Sequence, residues 1–317
     1  MEVGLVGLGK MGLNLVVNML SHGHRVVAFN RSAEKIRLAE KQGAIGAYSF
    51  AELAAELARP RIVWLMVPAG RPVDEVLDGL VPHMSQGDVV IDGGNSHYQD
   101  TLRRHAALNQ KGIALVDVGT SGGVEGARNG VCAMVGAEPE VFELIEPLLR
   151  DICVKHGYLR TGPVGSGHFA KMVHNGIEYG MLQAIGEGFE LLERAPAPFH
   201  FDLSAMARLW NHGSVIRGWL MSLAEQAFRK DPALEGIRGI VHSSGEGLWA
   251  VEAALELGVP VPVMVISLLA RYRSEQEDSF AGKVVAALRR EFGGHPPEPA
   301  GVRRATGASE GGAASGE

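Results

Sequence analysis

The sequence predicts an α/β domain with a doubly wound, mostly parallel sheet, followed by an all-α C-terminal domain. Short β-rich runs alternate with helical stretches over the first half of the 317-residue chain, as in a parallel sheet with helices on both faces. Several of these runs are almost continuously apolar, as expected of strands buried on both sides. After about residue 160 helical periodicity dominates, and glycines at Gly162-Pro163 and Gly165–Gly167 mark the change.

The elements follow from these patterns in chain order. The apolar runs predict strands over Glu2–Val6, Arg25–Phe29, Ile62–Val67, Val89–Asp92, Ile113–Val118 and Val131–Val135. Helices over Met11–Ser21 and Ala33–Gln42 are expected between the first strands, because a glycine follows each of them as an ordinary helix stop. Beyond the boundary the periodicity predicts helices over His168–Arg194, Leu203–Asn211, Val215–Phe228, Leu248–Leu257, Pro262–Ser274 and Phe280–Phe292.

Composition excludes several classes of protein. The chain is 46% hydrophobic and 21% charged, which is ordinary for a globular protein, and its net charge of −6 argues against a nucleic-acid partner. We expect no membrane association, because no apolar run has membrane-spanning length and the N-terminus lacks the features of a signal peptide. Cys132 and Cys153 have no metal-ligand spacing, so we expect two reduced thiols, no metal and a cytoplasmic location.

The first loop has the glycine spacing of a Rossmann dinucleotide-binding turn. Gly7-Leu8-Gly9-Lys10-Met11-Gly12 fits G-x-G-x-x-G, in which the glycines permit a tight turn, close approach of a pyrophosphate, and packing of helix on strand. The helix that follows presents free N–H groups to the anion. A glycine-rich turn without a ligand is the alternative, but the motif lies between a predicted strand and helix, which favours binding of NAD or NADP.

The end of the second predicted strand bears on the choice of cofactor. The chain has Asn30-Arg31-Ser32 where an acidic residue would bind the ribose hydroxyl of NAD. Arg31 could bind a 2′-phosphate, which favours NADP and leaves NAD possible. The alternative is that Ser32 caps the next helix and Arg31 is solvated.

Three loops follow later strands at the same expected edge of the sheet, where open α/β sheets bind ligands. They are Val67-Pro68-Ala69-Gly70, Asp92-Gly93-Gly94-Asn95-Ser96 and Gly119-Thr120-Ser121-Gly122-Gly123. Clustered backbone N–H groups suit a carboxylate or phosphate, and Asn95 could contact both cofactor and substrate. Ordinary turns would explain one such loop, whereas several beside a dinucleotide turn favour a site.

The first helix of the second domain carries a cluster of polar residues. Lys171, His174, Asn175 and Glu178 have the spacing i, i+3, i+4 and i+7, which places them on one helical face. Met172, Val173 and Ile177 are expected to pack on the other side. A solvated polar face is the alternative, but the segment starts at the domain boundary, where a two-domain oxidoreductase has its cleft. A desolvated lysine could act as a base, and Glu178 could serve a second proton transfer.

These residues together resemble the decarboxylating 6-phosphogluconate dehydrogenases, in their short bacterial form within the β-hydroxyacid dehydrogenase superfamily. The most specific segments are 92–96, 121–127 and 165–179. The resemblance implies oxidative decarboxylation of 6-phosphogluconate to ribulose 5-phosphate and CO₂ in the pentose phosphate pathway. It also implies three regions: an NAD(P)-binding domain (1–164), a helical substrate and dimerisation domain (165–292), and a largely flexible tail (293–317).

The resemblance implies a role for each matched residue. Lys171 would be the base at the C3 hydroxyl and Glu178 the acid at C1, with His174 and Asn175 beside them. The cofactor set is Gly7, Leu8, Gly9, Lys10, Met11, Gly12, Asn30, Arg31, Ser32, Val67, Pro68, Ala69 and Asn95. The substrate set is Asn95, Ser121, Gly122, Gly123, His174, Asn175, Tyr179, Arg271, Arg289 and His295. Arg289 and His295 would enter the site of a neighbouring subunit, which implies a homodimer or homotetramer.

Three positions depart from the pattern of the family. Pro68 replaces a lysine that contacts the cofactor in many relatives, and Ser244 and Glu246 replace a lysine and a threonine of the longer enzymes. We assign no role to Glu246, since a carboxylate would repel a substrate phosphate. Two other functions stay open: a β-hydroxyacid dehydrogenase of the 3-hydroxyisobutyrate type, which would not need the phosphate set, and a non-catalytic NADP-binding protein, which would be expected to lose Lys171 or Glu178.

Overall fold

The computed structural model describes residues 1–293 and 296–298, and its first half is one eight-stranded sheet. The strand order is β3-β2-β1-β4-β5-β6-β7-β8, and every neighbouring pair is parallel except β6 and β7. The predicted doubly wound, mostly parallel sheet is therefore confirmed. The strands are β1 (Glu2–Val6), β2 (Arg25–Phe29), β3 (Ile45–Ala47), β4 (Ile62–Leu65), β5 (Val89–Asp92), β6 (Ala114–Ser121), β7 (Val131–Gly136) and β8 (Cys153–Gly162).

Helices cover both faces of the sheet and then form the second half of the described chain. Those of the first half are α1 (Lys10–Ser21), α2 (Ala33–Glu40), α3 (Phe50–Ala55), α4 (Arg71–Leu80), α5 (Tyr98–Asn109), α6 (Gly123–Asn129) and α7 (Pro139–Ile152), with a 3₁₀ turn at Val81–His83. Those of the second half are α8 (Ser166–Glu193), α9 (Leu203–Asn211), α10 (Trp219–Lys230), α11 (Glu246–Glu256), α12 (Pro262–Ser274) and α13 (Phe280–Gly293). The predicted all-α C-terminal region is confirmed.

The core lies in two apolar layers, one on each side of the sheet. One layer contains Leu15 and Met19 of α1 with Ile145 and Leu149 of α7. The other contains Leu53 of α3 and residues of α4 and α5. Strands buried on both faces carry mostly apolar residues, which explains why β1, β4 and β5 are recognisable as nearly continuous apolar runs.

Two strands were not predicted, β3 and β8, and both lie at the ends of the sheet. β3 has only three residues. In β8, Val154–His156 are exposed and His156 has a positive φ of 61°, so the alternation of a strand is interrupted. The expected helix over Val215–Phe228 begins instead at Trp219, after Gly218, which has an extended backbone.

The long helix α8 joins the two halves of the molecule. Its first turns pack on β6, β7 and β8, and its later turns pack on α11 and α12. The buried carboxylate of Asp117 on β6 accepts hydrogen bonds from the backbone N–H groups of Gly165 (2.6 Å) and His168 (2.7 Å). Gly119 allows close contact, because a Cβ atom there would overlap the Cβ of Lys171 and the carbonyl oxygen of Gly167. The start of α8 is thus fixed against β6.

The expected packing of the apolar side of α8 is correct for Met172, which is 3% exposed. It is wrong for Val173 and Ile177, which are 37% and 51% exposed. No helix of the described residues has the length and apolarity to cross a membrane. The cytoplasmic location and the boundaries at residues 164 and 292 stay predictions, and the tail over 293–317 lies almost wholly outside the described residues.

Candidate active site

The glycine turn after β1 leaves space for a ligand at one position and is tightly packed at the other two. Gly7 has φ +102°, and a Cβ there would overlap the backbone of Met66, while a Cβ on Gly12 would overlap the carbonyl oxygen of Gly7. A Cβ on Gly9 would meet nothing within 4 Å. α1 begins after Gly9 with no side-chain cap and no acidic residue in its first turn. This open, uncapped helix N-terminus fits a dinucleotide pyrophosphate.

Two cavities meet at this turn, at the edge of the sheet where β1 and β4 are neighbours. The larger, of about 630 Å³, extends over the end of β2, and the smaller, of about 460 Å³, extends over the ends of β4 and β5. All predicted cofactor residues line one or both cavities except Leu8, which is buried and donates its backbone N–H to Oδ1 of Asn30 (3.0 Å). The structure therefore brings the predicted cofactor set together.

The larger cavity is basic at the end of β2. Arg31 and Lys35 are exposed and line it. Ser32 is the N-cap residue of α2, but its side chain makes no capping hydrogen bond. The carboxylate of Glu75 also lines the cavity and pairs with Arg71 (2.8 Å). The lining of this cavity thus includes two cations, Arg31 and Lys35, and the carboxylate of Glu75, which is already paired.

One face of α8 brings the four predicted catalytic side chains together. The Nζ atom of Lys171 lies 3.5 Å from Nδ1 of His174. The same ring nitrogen lies 3.2 Å from Oδ1 of Asn175 and 3.9 Å from a carboxylate oxygen of Glu178. The other nitrogen of His174, Nε2, lies 3.2 Å from the Oγ atom of Ser121. His174 therefore connects the lysine, the glutamate and the end of β6 in one cluster.

Burial changes the acid–base properties of Lys171. The residue is only 6% exposed, and this burial lowers the pKa of its ammonium group because the charged form loses hydration. The negative charges of Glu178 and Glu246 act in the opposite direction, but their effect is smaller. The net result is a pKa below the ordinary lysine value, which increases the fraction of neutral amine able to accept a proton.

The loop after β5 is held by the buried carboxylate of Asp92. Its two oxygens accept hydrogen bonds from the Ser96 hydroxyl (2.6 Å) and the Gly94 backbone N–H (3.2 Å). Asn95 lies between these two anchors, is exposed, and lines the smaller cavity with Thr120 of β6. The tight turn thus places Asn95 at the sheet edge where the predicted cofactor residues and the polar residues of α8 meet.

Tyr179, which directly follows Glu178 on α8, contacts a second group of polar residues. Its hydroxyl lies 3.3 Å from the Oγ atom and from the backbone N–H of Ser244, and 3.4 Å from the Oγ atom of Ser243. The guanidinium of Arg271 stacks on the Tyr179 ring, 3.4 Å from its centroid. Burial raises the pKa of Tyr179, but hydrogen bonds from both serines and the charge of Arg271 outweigh it and lower the pKa. These groups form an anion-compatible cluster.

Two predicted substrate residues are not placed in this site. Arg289 is exposed on α13, and within the described residues it makes no hydrogen bond or ion pair with the cluster. His295 lies outside the described residues. Sequence reasoning assigned no role to Ser243, Ser244 or Glu246, which α11 and the loop before it bring to the site. The one feature of the sequence that pointed to this segment is that Ser244 and Glu246 depart from the family pattern.

Comparison with known families matches both halves of the chain. A family model described as the NAD binding domain of 6-phosphogluconate dehydrogenase matches residues 2–159. A second, described as the 6-phosphogluconate dehydrogenase C-terminal domain, matches residues 167–292. The two matches cover the sheet domain and the helical region that contain the described cluster.

Similar proteins carry the same family name. A Bacillus subtilis protein, provisionally named as a 6-phosphogluconate dehydrogenase, is 53% identical and covers 94% of this chain and 99% of its own length. The NAD(+)-dependent, decarboxylating 6-phosphogluconate dehydrogenase of Haloferax volcanii is 44% identical, with 93% and 98% covered.

A solved structure agrees with this comparison. The Plasmodium falciparum 6-phosphogluconate dehydrogenase, described in its apo form and in complexes with NADP⁺ and with 6-phosphogluconate, superposes with a TM-score of 0.80 at 30% identity. The superposition covers 92% of this chain, which spans 65% of the length of the Plasmodium protein. From the two domain matches and the identity with these relatives, this chain belongs to the 6-phosphogluconate dehydrogenase family.

Proposed function

We propose that this chain catalyses the oxidative decarboxylation of 6-phosphogluconate to ribulose 5-phosphate and CO₂, with reduction of NADP. The observation that carries the proposal is the cluster of Lys171, His174, Asn175 and Glu178 on α8, joined to Ser121 at the end of β6. A base and an acid on one helical face, next to a dinucleotide site, suit an oxidation that is followed by a second proton transfer.

Lys171 is the base of the first step. When bound, the nicotinamide ring supplies the acceptor for the hydride that leaves C3 of the substrate. The neutral amine of Lys171 takes the proton of the C3 hydroxyl, which burial favours by lowering the lysine pKa. His174 limits the positions of the lysine amine, since Nδ1 lies 3.5 Å from Nζ and Nε2 is held by Ser121.

Lys171 and Glu178 then act in the loss of CO₂ and the final protonation. The resulting 3-keto acid loses CO₂ as electrons move toward its carbonyl oxygen, and protonated Lys171 donates a hydrogen bond to that oxygen. Glu178 delivers a proton to C1 of the enediol, which gives ribulose 5-phosphate. Their backbone positions are separated by two helical turns, about 10 Å along the axis. Both side chains approach His174, so one substrate beside this helical face could contact both groups.

Tyr179 and Arg271 are proposed to bind the substrate phosphate. Arg271 is a cation above the tyrosine ring, and Ser243 and Ser244 add two hydroxyls and a backbone N–H next to the phenol. A phosphate is recognised by such a combination of one guanidinium and several hydrogen-bond donors. This set favours a phosphorylated substrate over 3-hydroxyisobutyrate.

We propose NADP as the cofactor because the larger cavity has positively charged residues in its lining. Arg31 and Lys35 are both exposed there, and the Ser32 hydroxyl is not used as a helix cap. A 2′-phosphate would gain two cations and a hydroxyl donor, whereas a ribose hydroxyl would find no unpaired carboxylate among the described residues of this cavity.

We also propose that the protein acts as a homodimer or homotetramer. Large apolar side chains are exposed in stripes on α8, α12 and α13, and such stripes mark protein–protein contacts. A second copy of the chain would cover them and bring Arg289 and His295 to its neighbour's phosphate site. The stripe residues are Val173, Ile177 and Met181 on α8, Val263, Ile266 and Leu269 on α12, and Val284, Leu288 and Phe292 on α13.

A direct assay tests the reaction and the cofactor separately. The purified chain is given 6-phosphogluconate with NADP or NAD, and both reduced cofactor and released CO₂ are measured, with 3-hydroxyisobutyrate as the comparison substrate. Equal amounts of reduced cofactor and CO₂ are expected, with the higher kcat/KM for NADP. Turnover of 3-hydroxyisobutyrate alone would overturn the reaction, and a preference for NAD would overturn only the role of Arg31.

A further inference from the structure

The first residue of α11, Glu246, is a buried carboxylate with unused hydrogen-bonding capacity. It is 7% exposed, and its Oε2 atom is buried with no hydrogen-bond partner among residues 1–293 and 296–298. Buried carboxylate oxygens are nearly always hydrogen-bonded, because loss of hydration without a replacement is costly. Its position at the N-terminus of α11 favours a negative charge but provides no hydrogen bond to Oε2.

Glu246 lies at the place where the cofactor turn and the catalytic helix meet. It lines the smaller cavity together with Gly9–Gly12, Asn95 and Thr120. The same carboxylate affects the pKa of Lys171, which places its charge close to the amine. A group bound in this cavity would therefore have the glycine turn on one side and Glu246 on the other.

The chemistry of a carboxylate restricts what that group can be. An ionised carboxylate only accepts hydrogen bonds, and it repels phosphates. The phosphate of a ligand is thus directed to the Arg271 cluster, and the pyrophosphate to the turn at Gly9. Glu246 therefore suits a hydrogen-bond donor of the ligand, and a hydroxyl or a carboxamide N–H is such a donor.

We infer that Glu246 is a specificity-determining residue that accepts a hydrogen bond from a neutral donor of the ligand in the smaller cavity. The inference rests on the proposed function, because that function supplies two ligands with such donors. They are the nicotinamide riboside of the cofactor, with hydroxyls and a carboxamide, and the polyhydroxy acid substrate. Binding measurements on each ligand alone distinguish these sources and do not require turnover.

The charge of Glu246 has a second, separate effect. Lys171 faces His174 and Glu178 on its own helix, Glu246 on α11 and Cys132 on β7. Loss of the charge of Glu246 removes one of the influences that raise the lysine pKa, so the pKa falls further. The rise of kcat/KM with pH, which follows formation of the neutral amine, then moves to lower pH.

The test compares two neutral variants of similar size, Glu246→Gln and Glu246→Met. Both remove the charge, but only glutamine retains a strong hydrogen-bond acceptor, since the thioether sulfur of methionine accepts weakly. Dissociation constants are measured for NADPH by fluorescence and for 6-phosphogluconate by calorimetry, each without the other ligand. Glu252→Gln, an exposed carboxylate on the same helix, is the control for loss of charge, and urea unfolding checks that each variant folds.

The expected result is a Kd at least fivefold higher in Glu246→Met than in Glu246→Gln, for one of the two ligands. A difference with NADPH identifies the nicotinamide riboside as the donor, and a difference with 6-phosphogluconate identifies the substrate. Kd values that agree within twofold for both ligands in folded protein overturn the inference. A shifted pH profile without any difference in Kd also overturns it, since only the charge effect on Lys171 would then remain.

Discussion

At the scale of single residues, Lys171 combines burial with the electrostatic influence of two carboxylates. Burial lowers the pKa of its ammonium group, whereas the negative charges of Glu178 and Glu246 act to raise that pKa. The amine can therefore be neutral when it accepts a proton and protonated when it donates one. Both states are needed if one group serves the oxidation and the decarboxylation in turn.

Lys171→Met is expected to lower kcat by about 10²–10⁴-fold, the range for loss of a general base. Binding of NADPH should change little, because the cofactor residues lie on the sheet loops. The unchanged enzyme should lose kcat/KM as the pH falls through the Lys171 pKa, since protonation removes the base. Stopped-flow and steady-state assays over pH measure both effects, and a methionine variant with nearly full turnover would contradict the assignment.

The residues of the glycine turn and the α8 face could be predicted from the sequence because short-range spacing determines them. The turn needs three glycines within six positions, and the face follows from helical periodicity alone. The contribution of Glu246 could not be predicted, because it depends on how α11 packs beside α8. Spacing also could not show that Val173 and Ile177 are exposed. An apolar residue on a helix does not by itself reveal whether another part of the same chain packs against it.

At the scale of elements, the contact between α8 and β6 determines where the base lies. Gly119 and Gly167 let the helix approach the strand closely, and Asp117 holds the first turn through two backbone N–H groups. The position of Lys171 relative to the sheet, and so to the cofactor loops, follows from this contact.

Gly119→Ala is expected to displace α8, because the new methyl would overlap the Lys171 side chain and the Gly167 carbonyl oxygen. We expect kcat to fall by about 10- to 100-fold and the free energy of unfolding to fall by about 1–3 kcal/mol. Assays, NADPH titration and urea unfolding measure these effects.

The matched control is Gly186→Ala, farther along α8, where a Cβ would meet nothing within 4 Å. This change should leave kcat unaltered and stabilise the helix by up to about 1 kcal/mol. If Gly119→Ala behaved like Gly186→Ala, the close contact would have no part in positioning Lys171.

Elements at the ends of the sheet were the ones that the sequence did not predict. Central strands have no solvent-exposed face and are mostly apolar, so their apolar runs are visible without knowledge of the fold. β8 carries charged residues on an exposed edge, and pairing with β7 alone makes it a strand. Such a segment forms a strand only through its tertiary contacts, and these contacts cannot be predicted from local β-propensity.

At the scale of the whole molecule, the helical half has more apolar surface than it can bury by itself. The stripes on α8, α12 and α13 have their large side chains exposed, in contrast to the fully buried layers of the sheet domain. In the proposed homo-oligomer, a second copy of the chain would cover this surface and complete the phosphate site.

Ile266→Arg, on the stripe of α12, is expected to weaken self-association, because it places a charge where an apolar contact would form. The side chain is 62% exposed in the single chain, so the fold itself should persist. Sedimentation velocity over a range of protein concentrations should show smaller species than in the unchanged protein, with activity lost as they form.

Leu38→Arg provides the comparison, since Leu38 is also exposed but lies on α2 of the sheet domain. This variant should sediment like the unchanged protein. A fully active monomer, for either the variant or the unchanged chain, would contradict the need for a second subunit.

The placement of both the base and the acid on α8 has a consequence for how this segment can evolve. Adding or removing one residue between Lys171 and Glu178 would rotate one of them by about 100° about the helix axis. Substitutions at the exposed positions 173 and 177 leave that angle unchanged. We therefore expect homologous sequences to keep the length of this stretch constant, so that insertions and deletions accumulate only outside it.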